Sequence, residues 1–532
     1  MNSHIGASLL LMGLLLGTTS HLADAGTIAP DLAGALATRA SHAAVPVLVR
    51  LSDRVDLGQF VLEDRRQRNG RLFTALKAKA QATQGPLLGF MAERGATSVK
   101  ELWLVNGLAA TVSAAIVKQI ADYPGVDVVQ LDSSLRRSSS PHRPSPLAPL
   151  VPGSQDGPRV PSASPAPEAK LSNPVWNVAA VHAPELWSAG LTGRGVVVAN
   201  MDTGVDGNHP DLAAKWRGGS NSWFDPHGQH ATPYDASGHG TQTMGIMVGG
   251  SAGGSTIGVA PDARWIAVKL FDDGGQARLS DIHLAFQWLL DPDGDPATVD
   301  APDVVNASWS LSARVAGSCN LQFNDDISVL RAAGIAVVFA AGNDGPAART
   351  SDSPANNPHG FSVGAVDNRL TVANATSRGP SACDGSIFPT LVAPGVNVRT
   401  ADLSYGGIAS YAVVSGASFA APHASGVLAL LAGAYPAASV EQLEAALING
   451  ATLADRTGPN NDYGHGLANA AAAYNALAAR EGGGSRTAKP AVGATVIVDT
   501  RRADSAQLAH QGGAELDTMR RAPLTAGHDI VR

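Results

Sequence analysis

The chain has 532 residues, of which 44% are hydrophobic, 16% are charged and only 5% are aromatic, and its net charge is −7. This length corresponds to about two to four structural units, and the composition is that of a globular chain with a large core. The acidic balance excludes a basic nucleic-acid-binding surface, and no run of 18 apolar residues suits a membrane span of the mature chain. We therefore expect neither nucleic acid nor a membrane as a partner of the mature protein, and we expect a monomer.

Residues 1–25 have the pattern of a secretory signal peptide. The apolar run IGASLLLMGLLLG is followed by polar residues and then by Ala23-Asp24-Ala25, an A-x-A cleavage pattern. This pattern predicts a secreted protein, extracellular or periplasmic. Cys319 and Cys383 are the only two cysteines. They could close one disulfide bridge in an oxidising compartment, and two unrelated buried thiols are the alternative.

Residues 26–135 predict a small α+β domain. Apolar runs and helical stretches alternate in the order of a β-α-β-β-α-β unit, which is the ferredoxin-like split motif, provided that one long run breaks into two strands at Asn106-Gly107. Residues 136–171 are rich in proline and serine and cannot form a core. They predict an extended linker that proteases can reach.

Residues 172–480 predict a larger α/β domain. Runs that are apolar throughout, such as GVVVAN and IAVVFAA, alternate with helical stretches such as LSDIHLAFQWLL. Such a pattern is typical of a parallel sheet with helices on both faces, and active sites of these sheets lie at the carboxyl ends of the strands. Residues 481–532 are rich in glycine and alanine and predict a poorly ordered tail.

Four polar residues follow predicted strands or precede predicted helices of the larger domain. Asp202 ends the strand GVVVANMD, His239 lies between two glycines in SGHGT, Asn343 ends AVVFAAGN, and Ser418 begins the helix of SGASFAAPHASG. A serine nucleophile needs a base, a group that orients the base and donors for an oxyanion. Each residue alone has an ordinary explanation as a turn, cap or surface residue, but their combination indicates nucleophilic catalysis.

With these residues in this order, the chain resembles the subtilisin-like serine peptidases from about Val175 to Ala478. The matching phrases are VVVANMDTGVDGNHPDL, GHGTQTMGIM, AAGNDG and SGASFAAPHASG. The resemblance implies a subtilisin-like sheet, protein or peptide substrates and no cofactor for the chemistry. It also implies that residues 26–135 are a propeptide that assists folding and inhibits in cis. The chain departs from the family at Ala417 and Phe419, where threonine and methionine are usual, so we expect altered local packing.

The resemblance also implies the walls of a substrate cleft. The segment ASWS matches an edge that pairs with the bound peptide, and AAGN matches the facing wall; the residues concerned are Ser308, Trp309, Ser310, Ala341 and Gly342. Asp352 aligns with the floor of the pocket for the residue before the cut, which would favour basic residues there. The alternative is that Asp352 points to solvent or caps a turn. The basic residues near and within the linker are possible internal substrates: Arg136, Arg137, Arg143, Arg159 and Lys170.

A calcium site is less clearly indicated. The asparagine-rich loop that forms the strong calcium site of subtilisin is missing here. Asp291, Asp293 and Asp295 alternate along the chain and could bind structural calcium, although an acidic turn at a helix end is the alternative.

These patterns predict a secreted serine endopeptidase that is made as a self-processed precursor. Asp202, His239 and Ser418 would form the triad, and Asn343 would complete the oxyanion hole. A catalytically silent binding protein on the same fold is the main alternative, and intact catalytic positions argue against it. An esterase would need a G-x-S-x-G elbow, which the sequence around Ser418 lacks.

Overall fold

The protein is described by a computed structural model. It describes residues 26–60, 65–137, 173–311, 317–452 and 458–482. The predicted signal peptide, linker residues 138–171 and the predicted tail beyond 482 lie outside the described residues.

The N-terminal part is an α+β unit with a five-stranded sheet in the order β1-β5-β2-β4-β3. β1 pairs with β5 in parallel, and the other neighbours are antiparallel. Its elements are β1 (Thr27–Ile28), α1 (Pro30–Ala37), β2 (Ala44–Leu51), α2 (Arg65–Ala92), β3 (Thr97–Leu102), β4 (Gly107–Ser113), α3 (Val117–Ala121) and β5 (Val126–Leu131). Asn106 has a φ of 49° directly before β4. Asparagine tolerates this left-handed conformation, which lets the chain turn between β3 and β4.

The two faces of this N-terminal sheet pack against different partners. Val47 and Val49 of β2 join a core cluster with Leu87 and Met91 of α2. Leu48, which lies between the two valines, belongs instead to a cluster that continues into the second part of the chain. Successive residues of a strand point to opposite faces. Val47 and Val49 therefore pack inside the N-terminal unit, whereas Leu48 packs toward the larger part of the chain.

The second part is built on seven parallel strands in the order β14-β13-β12-β11-β7-β9-β8. This topology confirms the predicted α/β class. The strands are β7 (Val197–Asp202), β8 (Trp223–Phe224), β9 (Arg264–Lys269), β11 (Val304–Ala307), β12 (Ala336–Ala340), β13 (Phe361–Val366) and β14 (Leu391–Pro394). β11, β12, β13 and β14 are buried along their whole length, as strands covered on both faces must be.

Helices cover both faces of the parallel sheet. Val337 and Phe339 of β12 pack into the same cluster as Ile282 and Phe286 of α7, while α9 lies along β11 to β14. The helices are α4 (Trp176–Ala180), α5 (Ala183–Ser188), α6 (His239–Val248), α7 (Leu279–Leu290), α8 (Asn324–Ala332), α9 (Ala417–Ala434), α10 (Val440–Asn449) and α11 (Ala470–Gly482). A hairpin of β15 (Val398–Tyr405) and β16 (Ile408–Val414) precedes α9. Of the helices in the described ranges, α9 alone is long and apolar enough to cross a membrane, and 78% of it is buried inside the protein.

A two-stranded antiparallel sheet joins the N-terminal chain to the larger part. β6 (Ser134–Arg136) pairs with β10 (Gln276–Arg278), which directly precedes α7. The predicted start of the linker at residue 136 therefore lies inside a strand. Arg137 continues the pairing, since its N–H donates to the carbonyl of Gly275 at 3.0 Å.

Candidate active site

Asp202 and His239 meet at the carboxyl end of β7. Asp202 is the last residue of that strand, and His239 is the first residue of α6. The carboxylate oxygen Oδ1 of Asp202 lies 2.8 Å from Nδ1 of His239 and accepts the N–H of Thr203 at 2.7 Å. Because Nδ1 donates to a carboxylate, the neutral ring presents Nε2 as a proton acceptor. Asp202 is only 1% exposed, so this orientation is held inside the protein.

The start of α6 is built by Asp235, a residue that the sequence analysis did not single out. Its buried carboxylate accepts the backbone N–H groups of Ser237, Gly238 and Thr241, each at 2.9 Å. Thr241 lies in the first turn of α6, where backbone donors have no partner within the helix, and the other two residues lie directly before it. Gly238 has a φ of 88°, which favours glycine directly before His239. An aspartate four residues before a predicted helix start, in DASGHG, is the sequence signal for this role.

Ser418 and Asn343 line the same cleft as His239. Ser418 is the second residue of α9, and its carbonyl accepts the hydroxyl of Ser308 at 2.8 Å. The amide oxygen Oδ1 of Asn343 accepts the N–H of Ala417 at 2.9 Å, which leaves Nδ2 as the group that can donate into the cleft. The N–H of Ser418 lies in the first turn of the helix and has no intrahelical acceptor.

The cleft has a volume of about 320 Å³. His239, Asn343 and Ser418 all line it. Within the described ranges no hydrogen bond joins Ser418 Oγ to His239, so the two side chains share the cleft without a formed bond. Such bonds are commonly long in the absence of substrate and tighten when it binds.

The two departures from the family pattern lie at the start of α9. Phe419 is 7% exposed, and its ring centroid lies 5.4 Å from that of His239. The aromatic ring thus packs against the imidazole that has to stay oriented. Ala417 keeps the backbone N–H that holds Asn343, and this contact needs no particular side chain.

The structure separates the predicted substrate-binding residues into two groups. Ser308, Trp309, Ser310 and Gly342 line the cleft, as expected from the sequence. Ala341 does not, because it is fully buried in the core, where its N–H donates to the carbonyl of Val363.

The expectation for Asp352 also needs correction. Asp352 is 2% exposed and is not on the cleft surface. Its Oδ1 accepts the N–H of Ser353 at 2.9 Å, and its carbonyl accepts the N–H of Asn356 at 2.9 Å. The residue therefore belongs to a buried turn behind the wall. Asp344 is the carboxylate that lines the cleft, and burial together with the charge of Asp352 raises its pKa.

The cleft also contains chain from the N-terminal part. Arg136 and Arg137 are among its lining residues, and Arg137 Nη2 donates to Ser237 Oγ at 2.8 Å. The sequence analysis identified ASWS as the edge that receives a peptide and missed β10, the edge with which β6 pairs. A run of three residues between a glycine pair and a helix gives little indication of a strand.

The sequence also matches a known protein family. Residues 193–466 match the profile described as the Subtilase family. The chain belongs to the subtilase family. It is therefore a serine peptidase of the subtilisin type.

Three relatives show how far the similarity extends. The subtilase is 36% identical to bacillopeptidase F of Bacillus subtilis over 445 residues. This aligned region covers 77% of this chain but only 29% of bacillopeptidase F. It is 31% identical to subtilisin E of Bacillus subtilis over 72% of this chain and 84% of subtilisin E. It is 34% identical to subtilisin BL of Lederbergia lenta over 56% of this chain and 97% of that protein.

The two cysteines of the subtilase are joined. Cys319 and Cys383, which are 64 residues apart in sequence, form a disulfide bridge. The bridge that the sequence analysis considered is therefore present, and the alternative of two unrelated thiols is wrong.

The candidate calcium ligands are only partly those expected. Asp291 and Asp293 lie together with Asp300, with ligand atoms within 4.8 Å of one another, and Asp295 is not in the group. Asp295 instead accepts the N–H of Ala297 in its own turn at 2.9 Å. Burial and the charges of the other two aspartates raise the pKa of Asp291 to about 6. A bound cation would relieve this repulsion, and three carboxylates are the oxygen ligands that calcium prefers.

Proposed function

We propose that this subtilase is a secreted endopeptidase that is made as a self-processed precursor and that cleaves through an acyl-enzyme. The observation that carries the proposal is that His239, Ser418 and Asn343 line one cleft and that Asp202 Oδ1 lies 2.8 Å from His239 Nδ1. This is the set of roles that acyl transfer by a serine requires.

In the proposed reaction, Ser418 Oγ attacks the carbonyl carbon of the peptide bond while His239 Nε2 takes the hydroxyl proton. Asp202 keeps the ring in the tautomer that can accept this proton and stabilises the imidazolium that results. Asn343 Nδ2 and the N–H of Ser418 donate to the oxyanion. His239 then protonates the leaving amine, and water repeats the sequence to release the acyl group from Ser418.

We further propose that substrates bind as an added strand, and that the chain's own segment does so before processing. The antiparallel pairing of Ser134–Arg136 with Gln276–Arg278 supports this mode of binding. An N-terminal unit held in this way, residues 26–137, would block the cleft and act as the cis inhibitor. The proposed cut falls after Arg137, within the residues up to 171.

Secretion and calcium binding belong to the same proposal. The apolar segment within residues 1–25 supports export, and a disulfide between the only two cysteines suits an oxidising compartment. Asp291, Asp293 and Asp300 would hold a structural calcium ion that takes no part in the reaction.

The test is the processing of Ser418→Ala compared with Ser415→Ala. Both serines line the cleft. Ser418→Ala should accumulate as an uncut precursor that neither reacts with a fluorophosphonate probe nor hydrolyses casein, whereas Ser415→Ala should be processed and active. Normal maturation of purified Ser418→Ala would show that another protease makes the cut. Lack of labelling and casein hydrolysis in the unmodified chain would favour the silent binding protein.

A further inference from the structure

Residues 351–357 form a turn that is buried although it is largely polar. Ser351, Asp352, Ser353, Asn356 and Asn357 are each between 0% and 4% exposed. Buried polar groups are costly unless each finds a hydrogen-bond partner. The position of this turn therefore depends on the segments that supply those partners, and two separate loops do so.

The first loop supplies partners from the two residues that flank one cysteine. The N–H of Asn320 donates to Ser353 Oγ at 2.9 Å, and Asn356 Nδ2 donates to the carbonyl of Ser318 at 2.9 Å. Asn357 Nδ2 also donates to the carbonyl of Asn320, at 3.0 Å. Three side chains of the turn are thus held by residues next to Cys319.

The second loop supplies partners from the two residues directly before the other cysteine, Cys383. The N–H of Ala382 donates to Ser351 Oγ at 2.9 Å, and Ser381 Oγ donates to the carbonyl of Asn356 at 3.0 Å. Neither loop belongs to a helix or a strand at these residues. The disulfide is the covalent link between the two loops that hold the turn.

The turn at residues 351–357 also supports one wall of the cleft. Gly342, which lines the cleft, has a φ of 103°, and a Cβ atom placed on it would lie 3.5 Å from Cβ of Asp352 and 2.7 Å from Ser377 Oγ. The wall therefore lies against Asp352 of the turn and against Ser377, which is outside the turn. The charge of Asp352 also contributes to the raised pKa of Asp344 on the cleft surface, which agrees with this proximity.

We propose that the Cys319–Cys383 disulfide is a positioning element of the substrate cleft. By fixing the turn at residues 351–357, it holds the wall at Gly342 and so sets how strongly the enzyme discriminates among substrate side chains, in addition to any effect on stability. A pocket discriminates by a few contacts, and a displaced wall removes them before it disturbs Ser418. This inference rests on the proposed peptidase function.

The experiment compares the unmodified enzyme with the double variant Cys319→Ser/Cys383→Ser at a temperature where both are folded. The substrates are tetrapeptide anilides that differ only in the residue before the cut, phenylalanine or alanine. We expect the ratio of the two kcat/KM values to change by about tenfold, chiefly through KM, because one pocket contact has roughly this effect. The rate of labelling by a fluorophosphonate should stay within about twofold, since that rate follows the triad.

Three further measurements separate an effect on the cleft wall from an effect on stability. Ser353→Ala leaves the bridge intact but removes two hydrogen bonds of the turn, from the N–H of Asn320 and to Asn356 Oδ1, and it should change the ratio in the same direction. Reducing the unmodified enzyme with dithiothreitol should reproduce the double variant, because Cys319 is exposed, and reoxidation should restore the ratio. Leu447→Ala, a core substitution in α10, should lower the melting temperature without changing the ratio.

The proposal would be overturned if the ratio of the two kcat/KM values stayed the same in Ser353→Ala and after reduction while the melting temperature fell. The disulfide would then contribute only to stability. An unmodified enzyme that does not react with the fluorophosphonate would instead overturn the proposed peptidase function.

Discussion

The buried imidazole of His423 predicts a specific loss of stability in acid. His423 is fully buried in α9, where Nε2 lies 2.9 Å from Asn177 Nδ2 and Nδ1 lies 2.8 Å from the carbonyl of Phe419. An amide Nδ2 only donates and a carbonyl only accepts, so the ring is neutral with its proton on Nδ1. Burial lowers the pKa of His423 from 6.5 to about 4. A second proton would have no acceptor at Nε2.

The size of the effect follows from this difference in pKa. Between pH 6.5 and 4 the unfolded chain binds a proton at His423 that the folded chain does not bind, so stability falls as the pH falls through this window. The full loss is about 3 kcal/mol at about 1.4 kcal/mol per pKa unit, and about 2 kcal/mol of it is expected between pH 7 and 4.5. The group contributes no such loss above pH 7.

The assay is urea unfolding of the Ser418→Ala chain, which is expected to be inactive, with and without His423→Gln, at pH 7 and pH 4.5. His423→Gln should cost stability at both pH values but should lose about 2 kcal/mol less between them. His465→Gln is the control. Burial also lowers the pKa of His465, but its ring is only partly buried, whereas that of His423 is fully buried. If the two variants show the same dependence on pH as their parent, the assignment of His423 as a neutral buried ring is refuted.

Three further predictions concern the cleft and the N-terminal unit that is proposed to inhibit it. Asn343→Ala should lower kcat by about 10²- to 10³-fold with little change in KM, because the amide binds charge that forms only in the transition state; steady-state kinetics decide, and a change in KM alone contradicts it. Asp132 accepts the N–H and hydroxyl of Ser280 at the start of α7, at 2.9 and 2.8 Å. Asp132→Ala should therefore destabilise the uncut chain by about 1–2 kcal/mol in urea unfolding, the cost of a helix cap, and an unchanged midpoint would contradict this. Asp344→Ser should reduce the preference for basic residues before the cut in a peptide library, whereas Asp352→Ser should change it less.

The α/β class and the main catalytic candidates could be predicted because their signals are local. Strands that are apolar throughout indicate a parallel sheet, and Asp202 and His239 stand at the end of such a strand and at the start of a helix. The structure confirms the sheet and brings His239, Asn343 and Ser418 to one cleft, with Asp202 buried next to it and bonded to His239. The apolar run of β2 was also visible in the sequence, although the partners of its two faces were not.

The features that the sequence could not provide depend on contacts between distant segments. β6 and β10 are three residues each, and their pairing joins two segments that are far apart in the sequence. Asp300 joins Asp291 and Asp293 by folding back from beyond the turn, so the alternate spacing of the sequence selected Asp295 instead. Spacing along the chain does not determine which carboxylates meet in space.

The sequence also did not show which carboxylate lines the cleft, and the identity of that carboxylate affects the expected substrate preference. Alignment placed Asp352 at the pocket floor, but that residue lies behind the wall, while Asp344 lines the cleft together with Arg136 and Arg137. Burial and Asp352 raise the pKa of Asp344, so its charged form is disfavoured in the empty cleft. A basic side chain nearby would stabilise that charge and lower the pKa again. Attraction for basic peptides should therefore be strongest above the pKa of Asp344 and should fade as acidification neutralises it.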